Sequence, residues 1–287
     1  MSGWAFIMAS AACSVTIGHF LKLAEQKKLR TEHVLLINYA VAAVAAFALS
    51  AQPLQQLQWV AGRPLVILFA ALIGVIFIAN FYVYSKSVHL NGLGVSVAAM
   101  RISLIVPIIV SVFWYLDSAS ASQWTGVLLV FVALFLLLPE KRSMLREPTN
   151  VAWLLVLLVI GTGLGDASLK VFEEDLSARV SSQFFMGMVF TFSLLTGVLI
   201  SLFRERHRFA AAESWIGIAV GIPNLFSALF LIAALEQMSG AIVYSAVNML
   251  TVIGAALLGF FYWKDSLTRL QWAGIAVTVI CILLLVE

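Results

Sequence analysis

Two stretches of this chain read alike, Asp117-Ser-Ala-Ser-Ala-Ser-Gln-Trp-Thr-Gly126 and Asp265-Ser-Leu-Thr-Arg-Leu-Gln-Trp-Ala-Gly274, and they lie 148 residues apart. In each, an Asp-Ser pair precedes a Gln-Trp pair and a glycine, and an apolar run follows. The same offset places Lys22 on Lys170, Glu25 on Glu173 and Gly92 on Gly240, with no gap between the first match and the last. The chain is therefore an internal duplication, and the number of apolar runs per copy decides how the copies are related.

Of the 287 residues, 62% are hydrophobic and 11% charged, and the mean hydropathy is +1.04. A soluble domain is about half apolar and a quarter charged, so this is the composition of an integral membrane protein. It excludes most soluble enzymes and gives no support to nucleic-acid binding. Apolar runs interrupted by short polar clusters fall at 3–23, 34–51, 64–84, 93–116, 124–138, 151–171, 180–203, 214–235, 240–263 and 270–286. At about 20 residues per span these are ten helices. A spanning backbone must satisfy its own hydrogen bonds, and the alternating pattern of a membrane barrel is absent. Trp4, Trp124, Trp153, Trp215, Trp263 and Trp272 sit near span ends, as an interfacial aromatic belt does.

Five spans is an odd number, so the copies enter the membrane from opposite sides. The predicted fold is an all-α integral membrane protein of ten transmembrane helices in two inverted-topology five-helix repeats, residues 1–138 and 151–287, with a joining loop at 139–150. Cys13 and Cys281 lie inside apolar runs and read as small buried hydrophobes. No zinc motif, nucleophile elbow or phosphate-binding glycine loop occurs, so no enzyme activity, metal or cofactor is expected.

With the repeat in view, the chain resembles the ten-helix bacterial EamA-type members of the drug/metabolite transporter superfamily. The resemblance covers essentially the whole chain. It rests on the polar hinges Asn91-Gly92 and Ser239-Gly240, and on the recurring Asp117, Trp124, Gly126 and Asp265, Trp272, Gly274. Many relatives carry Glu where this chain has Asp117 and Asp265. The family implies solute transport by alternating access, often export, in the bacterial inner membrane. Its substrates range from amino acids to drugs and sugar conjugates.

Thirteen of the 17 basic residues fall in the odd-numbered connections. The positive-inside rule makes those connections cytoplasmic and puts both termini outside. The resemblance implies the opposite orientation.

Ionisable side chains within spans face cavities or partners. Arg101, in Ala98-Ala99-Met100-Arg101-Ile102-Ser103, lies mid-helix, too deep to snorkel with ease. Under the repeat Asn248 aligns with its neighbour Met100, so one copy presents a cation and the other an amide at similar depth. Arg101 and Asn248, with Tyr244, Asn80, Asn38, Tyr39 and Asn224, are the expected substrate-binding residues, and Tyr84 is a further lining candidate. Interhelical hydrogen bonding is the alternative role for the neutral members. Lys22 and Lys170 lie near helix ends, where a lysine can also snorkel. Asp166 and Lys170 are spaced i,i+4 and are expected to pair, and His19 lies one turn from Lys22. His19 and Asp166 are candidates for coupling to protons. Pro107 and Pro223 interrupt helices. Gly163-Leu-Gly-Asp166 resembles the Gly-x-Gly-Asp element of intramembrane aspartyl proteases, but no second membrane aspartate accompanies it.

The expected function is secondary-active transport of a small metabolite, an amino acid or organic anion, around a midplane site between the repeats. The alternative is translocation of lipid-linked or lipophilic cationic compounds. Partners are the small-molecule substrate, the lipid bilayer and protons as a coupling ion.

Overall fold

The computed structural model describes residues 2–91, 93–137, 151–202, 210–264 and 266–286; the joining loop 139–150, Gly92 and Asp265 lie outside them. Among the described residues the regular elements are all helices. The first half comprises α1 (Gly3–Gln26), α2 (Thr31–Leu49), α3 (Pro53–Ala61), α4 (Pro64–Asn91), α5 (Leu93–Ile102), α6 (Ile105–Ile109) with a π-helical turn at Val110–Trp114, and α7 (Ala121–Leu137). The second comprises α8 (Ala152–Asp175), α9 (Ser182–Leu202), α10 (Ala211–Leu235), α11 (Gly240–Phe261) and α12 (Arg269–Val286). Eight of these are long and apolar enough to cross a membrane. Two shorter apolar stretches, Ala99–Trp114 and Ala121–Leu137, occupy the intervals expected for the fourth and fifth spans. The protein is an integral membrane helical protein.

Three features depart from the expected spans. The short helix α3 begins on Pro53, whose fixed φ suits a first helical position. It exposes Leu54 and Leu57, buries Val60, and is tied down by Gln56, whose Oε1 accepts from the Ser181 backbone N–H at 2.8 Å. The helix α4 runs seven residues past the expected end, to Asn91, whose side chain pins the start of the second half by two hydrogen bonds to the Val151 backbone. The fourth span is broken at Ser103-Leu104. Pro107 has no N–H to offer the Ser103 carbonyl and its ring crowds that oxygen, which instead accepts from Val106 at 2.9 Å. The break packs on α8 at Gly163, where a Cβ would stand 2.6 Å from Val106 and 2.9 Å from the Ser103 oxygen. Gly165 likewise lies against Phe77, so the protease-like Gly-x-Gly is a packing surface.

The principal helix contacts run between the halves. The helix α1 packs on α10 and α11; α8 packs on α4, α5 and α6; α2 packs on α9 and α10; α9 also packs on α4, and α7 on α12. Exchanging each helix for its counterpart 148 residues away returns the same set of pairs. The equivalence reaches individual residues. Gly126 faces Leu285 and Gly274 faces Leu137, while Leu116 and Lys264 both take the left-handed backbone conformation, at φ 58° and 60°. The Ser120 N–H donates to Gln123 Oε1 at 2.9 Å and the Thr268 N–H to Gln271 Oε1 at 2.8 Å.

The two ends of the bundle differ. All of Gly240–Val247 is buried at the start of α11, beside the end of α8 and the start of α9, where Phe172 and Phe185 stack at 4.1 Å. From Asn248 onward α11 is mostly partly exposed. The bundle is tight where α11 begins and looser where it ends.

Lipid tails supply no hydrophobic force between helices, so close backbone approach at small residues carries much of the packing. At Gly217 a Cβ would stand 2.6 Å from Ile37 Cβ and 2.9 Å from the Val34 oxygen, whereas at Gly18 nothing lies within 4 Å. Overpacking of this kind costs about 1–3 kcal/mol. Gly217→Ala is therefore expected to lower the midpoint of thermal unfolding in detergent. Gly18→Ala, which gains helix propensity without a clash, should leave it unchanged or raise it.

Candidate functional site

Arg101 stands one residue before the end of α5, just ahead of the break. Its Nη1 donates to Asn248 Oδ1 at 3.0 Å, joining the fourth span of one half to the ninth of the other. The Asn248 amide is aimed by its own Nδ2, which donates to the Tyr244 carbonyl at 3.0 Å one turn earlier. Tyr244, 2% exposed, donates its phenol O–H to the Asp166 backbone oxygen at 2.9 Å and so joins α11 to α8. Four expected residues, Arg101, Asn248, Tyr244 and Asp166, thus meet at one place, contributed by three helices of both halves.

Lys170 does not pair with Asp166. Its ammonium, on a side chain 3% exposed, contacts Asp117 Oδ2 at 3.4 Å, Glu173 Oε2 at 3.0 Å and Glu174 Oε1. Both i−4 and i+4 offer a carboxylate. The i+4 side wins because it also offers Glu173, the loop residue Asp117 and the negative end of the α8 dipole. Nor does Lys170 snorkel, since it is buried in the tight end of the bundle. Asp117, which the sequence marked only as a repeat residue, is the junction of that end. Its Oδ2 accepts from Ser111 Oγ at 2.6 Å and from the Gly240 backbone N–H at 2.8 Å, capping α11. The close approach needs glycine, because a Cβ on residue 240 would stand 2.6 Å from Ser111 Oγ. Tyr115 donates to Asp175 Oδ2 at 2.9 Å, and burial and that hydrogen bond push its phenol above the ordinary tyrosine range.

The remaining expected residues are held elsewhere. Asn224 Nδ2 donates to Asn38 Oδ1 at 3.0 Å between α10 and α2, and Tyr39 is buried with its ring against Phe190. Asn80 donates to Thr162 Oγ1 at 2.9 Å, while its own Oδ1 is buried against Gly161 without a hydrogen-bond partner. His19 lies in an aromatic cluster with Phe20, Tyr262 and Trp263, and Lys22 sits 5.1 Å over the Trp263 ring. Under the repeat, Trp263 is the counterpart of Tyr115, over which Lys170 sits at 5.8 Å. No group of three or more His, Cys, Asp or Glu among the described residues could hold a metal ion.

Residues 150–287 match the model of the EamA-like transporter family. The match covers the second half of the chain and fits the drug/metabolite transporter superfamily. An uncharacterised protein of Haemophilus influenzae is 28% identical over 269 residues, covering 92% of this chain and 91% of that one. A crystal structure superposes with a TM-score of 0.77 over 99% of this chain and 96% of that one, at 11% identity, a likeness of fold alone. EamA family members are transporters of small molecules across membranes. The matched half supplies Asn248, Tyr244, Asp166 and Lys170, and the first half supplies Arg101 and Asp117 to meet them.

Removing one partner of a buried charge cluster leaves the rest uncompensated, at about 3–5 kcal/mol for a simple pair. Lys170→Ala leaves three carboxylates facing one another, whereas Asp117→Asn leaves the lysine two. Thermal unfolding of both variants in detergent should show the larger loss for Lys170→Ala.

Proposed function

We propose that this protein is a secondary-active exporter of a small metabolite bearing a carboxylate or phosphate, which binds near the membrane midplane with Arg101 as its anion partner. The hydrogen bond from Arg101 to Asn248 carries this reading. It places an intramembrane cation at the seam of the two halves, where inverted-repeat transporters hold their substrates, beside a broken helix of the kind that lines such sites. Arg101 is paired with a neutral amide, so its charge is available to a ligand. The tight end around Lys170 and Asp117 is the closed mouth of this conformation, and the looser end is its access path. The halves rock about the site, and Asp166 is the intramembrane acid best placed to exchange protons with that motion.

Thermal unfolding of the purified protein against a panel of several hundred metabolites tests the site, because a ligand at 100 times its dissociation constant adds about 2.7 kcal/mol. Stabilisation by a carboxylate or phosphate compound that disappears in Arg101→Ala is the expected result; undiminished stabilisation of that variant would remove Arg101 from the site.

The excess of Lys and Arg in the odd-numbered connections favours an orientation with both termini outside, so that the closed mouth faces outward, and the family resemblance favours the bacterial inner membrane. A reporter active only in the cytoplasm, fused after Glu287, should stay silent; a bright fusion reverses the orientation.

One observation favours translocation of lipophilic compounds instead. An apolar crevice of about 350 Å³ between α1 and α11, lined by Met8, Ala11, Ala12, Val15, Leu250 and Gly254, opens at the side of the bundle. In the same panel, stabilisation by lipophilic cations or lipid-linked compounds alone would select this reading.

A further inference from the structure

We propose that α3 is an interfacial helix that lies along the membrane surface, with Leu54, Leu57 and Ala61 seated among phospholipid acyl chains and Arg63 at the level of the headgroups. The proposal is independent of the reading of Arg101. The level of α3 follows from its tethers. Three residues separate it from the end of α2 and two from the start of α4, and both neighbours are long and apolar enough to cross the membrane. Gln52, at φ 50°, turns the chain into α3, and nine residues are too few to span. The helix is thereby held where two spans meet the surface.

The faces of α3 differ. Leu54, Leu57 and Ala61, at i, i+3 and i+7, share one face and are all exposed, the leucines at 75% and 54%. Gln56 and Val60 share the flank beside it, and that flank meets the protein. Val60 is buried, and Gln56 Oε1 accepts from the Ser181 backbone N–H at 2.8 Å and from its hydroxyl at 3.1 Å, while Nε2 donates to Ser50 Oγ at 3.2 Å. These bonds fix the rotation of the helix, so its leucines do not turn inward. Gln55 and Trp59 lie opposite the leucines. The Arg63 guanidinium stacks over the Trp59 ring at 4.0 Å and donates to the Trp59 carbonyl at 2.9 Å. One flank on the protein, an apolar face turned aside and a polar face opposite it are what a helix in a bilayer interface requires, with Trp and Arg among the headgroups.

Lipid, rather than another protein, covers the leucines. The exposed spacing of Leu54, Leu57 and Ala61 recurs as Leu65, Leu68 and Leu72 in the first turns of α4, on which α3 packs, and an exposed apolar stripe on a membrane-crossing helix faces acyl chains. A stable protein partner needs about 800 Å² a side, far more than two leucines and an alanine offer. The seat is also particular to one copy in sequence: α3 itself carries no charged residue, whereas the equivalent stretch 201–209 holds three arginines, a glutamate and a histidine.

The test uses the full-length protein carrying Cys13→Ala and Cys281→Ala, reconstituted in vesicles of phosphatidylcholine and phosphatidylglycerol. A nitroxide is attached in turn at Leu54→Cys, Leu57→Cys, Gln55→Cys and, as a lipid-facing reference, Leu68→Cys. All four positions are exposed, so the labels displace no packed side chain. Power saturation compares access to oxygen, which concentrates in the bilayer, with access to a water-soluble nickel chelate. The ratio of oxygen to nickel access at Leu54 and Leu57 is expected to exceed that at Gln55 several-fold and to approach that at Leu68. Nickel access at Leu54 and Leu57 equal to that at Gln55 overturns the proposal, because the face then lies in water. Low access to both reagents overturns it too: with spin–spin broadening that disappears on dilution with unlabelled protein, a second copy covers the face, and without broadening another part of the same chain does.

Discussion

Charge inside a hydrocarbon slab must be compensated at once or made useful, and this requirement organises the molecule. Lys170 is 2% exposed in the last turns of a membrane helix. It is tolerable there because Glu173 and Glu174 come from its own helix and Asp117 from a loop of the other half. The demand for neutralisation thereby joins the halves at one mouth. Asp117 extends the junction, since the oxygen facing the lysine also caps α11 at Gly240. Arg101 meets the same demand with an amide, which satisfies a donor and leaves the charge. One cation is closed off as structure; the other is the one that the proposed function gives to a ligand.

The remaining adhesion is steric and shared between the copies. The halves interlock, so few of the principal contacts belong to one repeat alone, and the pairing is unchanged when the copies are exchanged. The copies nevertheless differ where it matters for transport. The fourth span is broken beside Arg101, whereas its counterpart α11 is continuous. On the proposed function the differences between equivalent elements are what the two end states exchange, and the equivalent lysine-on-ring contacts at Tyr115 and Trp263 mark corresponding places in the two halves.

The all-helical membrane fold was legible because a membrane imposes a length on apolar runs, and the repeat is visible in the sequence because matched residues recur at one offset. The offset aligns Asn248 with Met100 and so puts Arg101 and Asn248 at similar depth; that the two side chains touch is seen only in the fold. Other features carry no periodic signal. The helix α3 is nine residues long and too polar to read as a span, and its position depends on Gln56 reaching Ser181, 125 residues away. The partner of Lys170 was misread because helical spacing offers a carboxylate on either side; the choice lies in the loop residue Asp117, which only the tertiary fold brings near. The pairing of Asn38 with Asn224 is likewise invisible in either segment, and an asparagine that faces a cavity looks the same in sequence as one that faces another asparagine.

The charges around Arg101 also bear on the step that any carrier must take without cargo. Moving a charged site between two closed environments incurs a desolvation cost that rises steeply as water is excluded. A lone arginine would be easier to enclose with an anion bound than without one, and the empty protein would stall. Asn248 lends Arg101 an acceptor and no charge, so on the proposed function the ligand supplies the neutralisation, and closure is easier for the loaded form than for the empty one.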